Sequence, residues 1–295
     1  MFLSKDKIAV VVVSDLHINS TTALCKPIFN LDDGGTYHAS PNQKELWKFW
    51  LKFISDVERL TEGFKRLIVL NGDIGELDSK KRTNQLISRN KSEILKNVVD
   101  TIDPLVSISD AGIIVVRGTP AHSGKSSWLE EEVAKDLDGV IKYSDKIYSH
   151  YHFKKSISGV KFDISHHGKM GGVRHTQKTY GIRLAQDVLD KYRDRDETPP
   201  DVIIRSHQHR RADSGQNWKS FAIFTPCWQL PNEYIHRIGG ENDFPDIGGD
   251  IFLCTNDLND IKRLGPNSIV YPNFVWSPLS YIPNGVGKRW GSLKV

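Results

Sequence analysis

The chain has 295 residues, of which 38% are hydrophobic and 26% charged, an ordinary globular balance and long enough for a well-formed core. A net charge of +4 and a pI near 8.8 suit anionic substrates but are too weak to argue for nucleic-acid binding by themselves. Three scattered cysteines, Cys25, Cys227 and Cys254, form no CxxC pair; they argue against a disulfide framework and fit a reducing compartment.

The first predicted element is the apolar run Ile8 to Val13, followed at once by Asp15 and His17. It is too short for a secretory h-region or a membrane span, so a cytoplasmic protein with no membrane association is expected. Next, NQKELWKFWLKFISDVERL spaces Leu46, Phe49, Trp50, Phe53, Val57 and Leu60 by three and four residues, an amphipathic helix. LIVL at 67–70 then runs into NGD, with Asp73 and, further on, Glu76. The segment SKKRTNQLISRNK at 79–91 has five basic residues and no acidic one; it reads as a solvated helix face, with a nucleic-acid-contacting lip as the sharper alternative.

A helix around 84–102 precedes GIIVV at 112–116, which ends in GTPAH and His122. Another helix is predicted over 127–137, with Ser126 or Ser127 as N-cap and Glu130 placed for a capping box. VKFDI at 160–164 leads into SHHG, with His166 and His167, and a helix follows at 177–193. After the turn-rich DETPPD, DVIIR at 201–205 leads into SHQH, with His207 and His209. Beyond about 220 the chain is rich in Gly, Pro and aromatics, with strand-like FAIF and DIFLC. Short, continuous apolar strands alternating with helices imply an α/β fold whose strands are buried on both faces. One domain over 1–295 is expected, with a motif core at about 7–212 and a β-rich extension at about 213–295.

Each of the five apolar runs therefore ends in metal-ligand side chains. The pairs Asp15/His17 and His207/His209, at i and i+2, project to one side of an extended chain. In a mostly parallel sheet the strand C-termini share an edge, so six or seven histidines and carboxylates converge there. Histidine with carboxylate suits Zn, Mn, Fe or Ni better than Ca or Mg alone. A lone histidine at a strand end is usually a hydrogen-bonded surface or core residue; five such ends in this order point to a binuclear metal site.

The ordered set resembles the calcineurin-like metallophosphoesterase superfamily, whose motifs are D-x-H, G-D-x-x-D, G-N-H, a lone H often followed by G, and G-H-x-H. The match spans Asp15 to His209. Gln43, Trp47 and Trp50 on the first helix, and TPCWQLP in the tail, resemble phage-type members more loosely; that likeness implies a phage-encoded protein in the host cytoplasm. The resemblance implies a four-layer sandwich of two packed mixed β-sheets flanked by helices. It implies two divalent transition metal ions: Asp15, His17 and His209 on the first, Asp73 bridging, and His207 with His167 on the second. His167 immediately precedes glycine, as in the family pattern; His166 is the alternative ligand. Two cations about 3.5–4 Å apart lower the pKa of a shared water and make hydroxide at neutral pH. That hydroxide attacks phosphorus in line, and His122 is implied as the general acid.

Two departures stand out. Glu76 replaces the aspartate that orients the acidic histidine in many members, keeping the carboxylate with one more methylene. GTPAH replaces G-N-H, so Thr119, a poorer ligand, stands where asparagine is expected, and the second metal site is weaker or completed by water. Ser206 replaces the glycine of the last motif. Arg117, and His175 in the Gly-rich loop after the histidine pair, are candidate substrate contacts. His150 and His152 of SHYHF read as solvent-facing strand residues. Arg174, Arg205 and Arg210 read as surface or helix-facing charges, and the tryptophans as core. The expected activity is hydrolysis of a phosphoester, leaning to a phosphodiester of nucleic acid or a nucleotide. A phosphomonoesterase and a non-catalytic binder are the rivals, and oligomeric state is left open.

Overall fold

The computed structural model describes residues 7–77, 85–168, 176, 179–215, 218–237 and 245–255. His175, Arg174 and residues 79–84 of the basic run, with three of its five basic residues, lie outside them, as does the chain beyond 255. The elements in order are β1 (Ile8–Val13), β2 (Ile28–Asn30), β3 (Thr36–His38), α1 (Pro41–Leu60), β4 (Lys65–Asn71), α2 (Lys91–Val106), β5 (Gly112–Val116), α3 (Pro120–Ser123), α4 (Trp128–Asp136), β6 (Phe153–Ile157), β7 (Val160–Ile164), α5 (Tyr180–Arg193), β8 (Val202–Arg205), β9 (Ala212–Asp213), β10 (Phe221–Phe224), α6 (Glu233–Arg237) and β11 (Asp250–Cys254).

Two mixed sheets stack with helices outside. The first has the order β11-β1-β4-β5 and the second β6-β7-β8-β10-β9, while β2 and β3 form a separate hairpin. Within the first sheet β1, β4 and β5 are parallel; within the second β7, β8 and β10 are parallel. Side chains alternate along β1 with the strand period of two. Val11 and Val13 face the core under α1, α2 and α4, whereas Val10 and Val12 join the core between the sheets with Val69, Ile114, Ile204 and Phe252. The far face of the second sheet, Ile203, Ala222 and Phe224, packs on Tyr180, Leu184 and Val188 of α5. The result is the helix–sheet–sheet–helix sandwich expected. The strands FAIF and DIFLC enter it directly: β10 extends the second sheet and β11 closes the first against β1, antiparallel.

Helix α1 begins with a complete capping box, Ser40 Oγ accepting from Gln43 N and Gln43 Oε1 accepting from Ser40 N at 3.0 Å. The Gln43 amide also donates to the Ser20 and Ala23 carbonyls, which ties α1 to the loop after His17. The expected box on α4 does not form. Ser127 sits in the left-handed region with no side-chain cap, and Glu130 is turned inward instead. No helix among the described residues is long and apolar enough to cross a membrane.

Candidate metal centre

Parallel strands bring their C-terminal ends to a shared edge, so β1, β4, β5, β7 and β8 each deliver a loop there. Close approach depends on glycine. A Cβ on Gly118 would lie 2.2 Å from the Asp73 backbone nitrogen, and one on Gly72 would lie 2.6 Å from Nδ1 of His166. Backbone bonds lace the first two loops together, Asp15 N to Gly72 O at 3.1 Å and His17 N to Asp73 O at 3.0 Å. From the third layer of contacts, Trp228 N donates to Asp15 O at 3.0 Å while its indole packs edge-on to Trp50.

The i, i+2 pairs are not on extended chain as expected. Asp15, His17, Asp73, His207 and His209 all have φ between 43° and 73°, a left-handed conformation costing a non-glycine residue about 1–3 kcal/mol. Each lies just past its strand end, where the loop turns sharply over the sheet edge. The surrounding bonds, including His207 N to Asp15 Oδ2 at 3.1 Å, hold that conformation in place.

The donor atoms then cluster. Asp15, His17 and His209 form one group whose ligand atoms lie within 4.8 Å of one another, and Asp15, Asp73, His166 and His207 form a second. His166, His167 and His207 form a third, and His17, Glu76 and His122 a fourth. Asp15 and Asp73 are fully buried at the floor. Both carboxyls are held below the usual range: burial pushes them up, but the His166 charge and the histidine hydrogen bonds outweigh it.

Of the adjacent histidines, His166 is buried, its Nδ1 2.7 Å from the Asn71 carbonyl and Nε2 3.0 Å from Asp73 Oδ2. His167 is exposed at the rim, its Nε2 3.2 Å from Thr119 Oγ1. Burial lowers the His166 pKa, but Asp73 and Asp15 raise it further, to about 9. Thr119 Oγ1 donates to Asp73 Oδ2 at 3.0 Å and lies 3.2 Å from His207 Nδ1, so the threonine occupies the middle of the second group. Its neighbours Pro120 to Ser123 coil into α3, and this turn absorbs the inserted residues. His122 thereby reaches Glu76, Nδ1 to the two carboxylate oxygens at 2.8 and 2.9 Å. The same carboxylate receives His17 Nδ1 at 2.9 Å. Burial lowers His122, but the Glu76 hydrogen bond and charge win and raise it; for His17 burial wins and lowers it.

A cation fits this donor set. Asp15 Oδ1 is buried without a hydrogen-bond partner, 3.3 Å from His209 Nε2 and 3.9 Å from Nε2 of both His17 and His166. His17 Nε2 and His209 Nε2 face each other at 3.1 Å. With Nδ1–H of His17 given to Glu76, its Nε2 presents a bare lone pair toward that space.

Other expectations are corrected. His150 is buried rather than solvent-facing, its Nε2 2.7 Å from the Ile141 carbonyl, whereas His152 is exposed as expected and bonds Asp163 at 2.6 Å. Arg205 is a buried ion-pair partner of the same Asp163, at 2.6 Å, not a surface charge. The sequence reading missed what lies beneath the centre. Asn71 donates to Ser206 Oγ at 2.6 Å, and Ser206 pairs with Thr225; these ordinary polar types give no signal in sequence. Glu130 is fully buried, bonded to Ser123 Oγ through Oε1 and unpartnered at Oε2.

Burial first, then the Asp73 charge, push the Glu130 carboxyl up to about 7. A raised folded-state pKa means that stability present below the unfolded value is lost as pH rises toward the folded one. In chelator, the protein is expected to lose on the order of 3 kcal/mol between pH 4.5 and 7 from this group. Glu130→Gln should flatten that slope in denaturant titrations at several pH values; an unchanged slope would rule out Glu130 as its source.

No family model matches the chain, and no curated protein matches it. Among solved structures it is similar to a single mutant of Vps29 from Entamoeba histolytica, at 12% identity and a TM-score of 0.40, covering 84% of this chain and 87% of that one. It is also similar to a dimetal phosphatase from Danio rerio, at 12% identity and a TM-score of 0.40, covering 85% and 94%. A conserved Streptococcus pneumoniae protein, described as a predicted phosphoesterase, matches at 11% identity and a TM-score of 0.31, covering 90% and 94%. At such distances these likenesses carry no argument about activity.

Proposed function

We propose that the chain is a metal-dependent phosphoester hydrolase of the calcineurin-like type acting on a phosphodiester, with nucleic acid or a nucleotide as the substrate class. The observation that carries this reading is the pair of donor groups sharing Asp15, built from strand ends of both sheets, with an imidazole, His122, held beside them by Glu76. Asp15, His17 and His209 would hold one ion. Asp73, His166 and His207 would hold the other, with Thr119 and His167 closing its rim. Two divalent transition metal ions (Mn, Fe, Zn or Ni), held by these residues, would supply a hydroxide nucleophile at neutral pH and offset charge on the phosphoryl oxygens.

The chain's own groups do the rest. Glu76 accepts Nδ1–H from both His17 and His122, so one carboxylate sets the tautomer of a ligand and of the acid. As the imidazolium His122 also carries a proton on Nε2 for the leaving oxygen, and the Glu76 carboxylate, by raising its pKa, favours that form. The diester is favoured over a monoester dianion by charge. Arg117 is paired with Glu131 at 3.4 Å and Arg205 with Asp163, so neither offers spare charge to the second negative charge of a monoester phosphate.

Elemental analysis of the purified protein, beside assays on a chromogenic diester and monoester, tests the reading. Two transition metal ions per chain, with diesterase activity lost in chelator and restored by Mn, are expected. One or no metal, with no hydrolysis of any phosphoester under metal supplementation, would overturn it. Faster hydrolysis of the monoester would overturn the diester assignment alone.

A further inference from the structure

Tyr151 is 67% exposed, among the most exposed large hydrophobic side chains of the described residues, yet its ring is not loose. The Arg117 guanidinium carbon lies 4.3 Å from the ring centroid, a stacked cation–π contact. The guanidinium is itself held on three sides. Nε donates to Ser149 Oγ at 2.9 Å, Nη2 to Glu131 Oε2 at 3.4 Å and Nη1 to the Ser126 carbonyl at 3.5 Å. Arg117 covers one face of the tyrosine, and the high exposure leaves the other to solvent.

The position of this pair is set by backbone pairing. His150 N donates to Val115 O and Arg117 N to His150 O, each at 2.8 Å, so residues 150–151 run beside β5 to its C-terminal end. There Arg117 is two residues from Thr119. On the other side, β6 pairs with β7 in the register Phe153 to Ile164. Tyr151 precedes Phe153 by two residues, and His166 follows Ile164 by two. The backbone at Tyr151 therefore lies at the same end of the strands as the metal-ligand histidines, beside the end of β5 and near the end of β7.

We propose that the Tyr151 ring, backed by Arg117, is a stacking platform for the base next to the scissile phosphate, making Tyr151 a specificity-determining residue for nucleotide esters. The proposal rests on the phosphodiesterase reading for where the phosphate sits. Its chemistry is independent of that reading, since any planar base stacks on a rigid aromatic face, and alanine substitution at such a face weakens binding about tenfold or more per base. A platform of this kind reads no base identity, so tolerance of all four bases is part of the expectation.

The experiment uses the metal-loaded full chain with two paired esters, thymidine 5′-p-nitrophenyl phosphate and methyl p-nitrophenyl phosphate, and with fluorescent ethenoadenosine monophosphate as a binding probe. In Tyr151→Ala the ratio of kcat/KM values, base-bearing over methyl, is expected to fall about tenfold or more, and stacking quench of the probe to be lost. Tyr151→Phe should keep both, because it keeps the ring. An unchanged ratio and quench in Tyr151→Ala, or no quench by the native protein, overturns the platform. If the native protein hydrolyses neither ester, the hydrolase reading fails on its own; quench that disappears only in Tyr151→Ala still supports the platform.

Discussion

Asp73→Asn is expected to lower diester hydrolysis by about 10³-fold or more, because it removes an anionic donor needed to bind cations and generate hydroxide at neutral pH. The change is nearly isosteric, so the loss should come without collapse of the fold. Asp73 is fully buried; asparagine Oδ1 can still accept from Thr119 N, now at 2.5 Å, and its amide N–H can donate to His166 Nε2 once that imidazole is neutral. Metal content by elemental analysis should fall by at least one ion per chain beside an unchanged circular dichroism spectrum. Full metal content with full activity would remove Asp73 from the site.

His122→Ala should separate leaving groups. General acid catalysis contributes about 10²–10⁴-fold where the departing oxygen needs a proton, and nitrophenolate leaves without one. Loss is therefore expected to be large on an alkyl or nucleoside ester and small on a nitrophenyl ester. An equal loss on both would end the assignment. The pH profile carries the same information. The Glu76 carboxylate raises His122 above its ordinary value near 6.5, and an acid must be protonated to act. The alkaline limb for poor leaving groups should then lie above that value. In Glu76→Gln the limb should move down, and metal binding should weaken as well, because His17 loses the same partner.

Much of this centre is legible in one dimension because strand burial and ligand chemistry are both local signals. A run such as Val10 to Val13 must be buried on both faces, so it belongs to a central strand, and the polar residues directly after it must lie at an edge. Repeating that pattern with Asp73, His122, His166/His167 and His207/His209 groups the loops of each sheet at one end once its strands are parallel, and the stacking of the two sheets brings both sets together. The amphipathic α1 was readable for the same reason, with Leu46, Trp50, Phe53 and Val57 buried as their spacing requires.

What one dimension does not hold is anything decided by a residue's partner. Glu130 has capping-box spacing, yet α4 starts from left-handed Ser127 and swings that carboxyl under Gly118, 0% exposed. Arg205 is polar in sequence but buried, because Asp163 on the neighbouring strand meets it. His166 and His167 differ by one position, and a one-residue step turns a side chain to the opposite face; only the contact of His166 with the Asn71 carbonyl and Asp73 marks it as the floor residue and leaves His167 at the rim.

The sequence by itself therefore determined the layered α/β architecture and the inventory of donors, since both follow from local polarity and strand period. Tertiary structure alone decided how the donors are shared. It turned five of them into left-handed loops, closed the first sheet with β11 and gave His17 and His122 one carboxylate. Those outcomes depend on contacts between segments up to about 190 residues apart, such as His207 N with Asp15 Oδ2, and no window along the chain contains both ends.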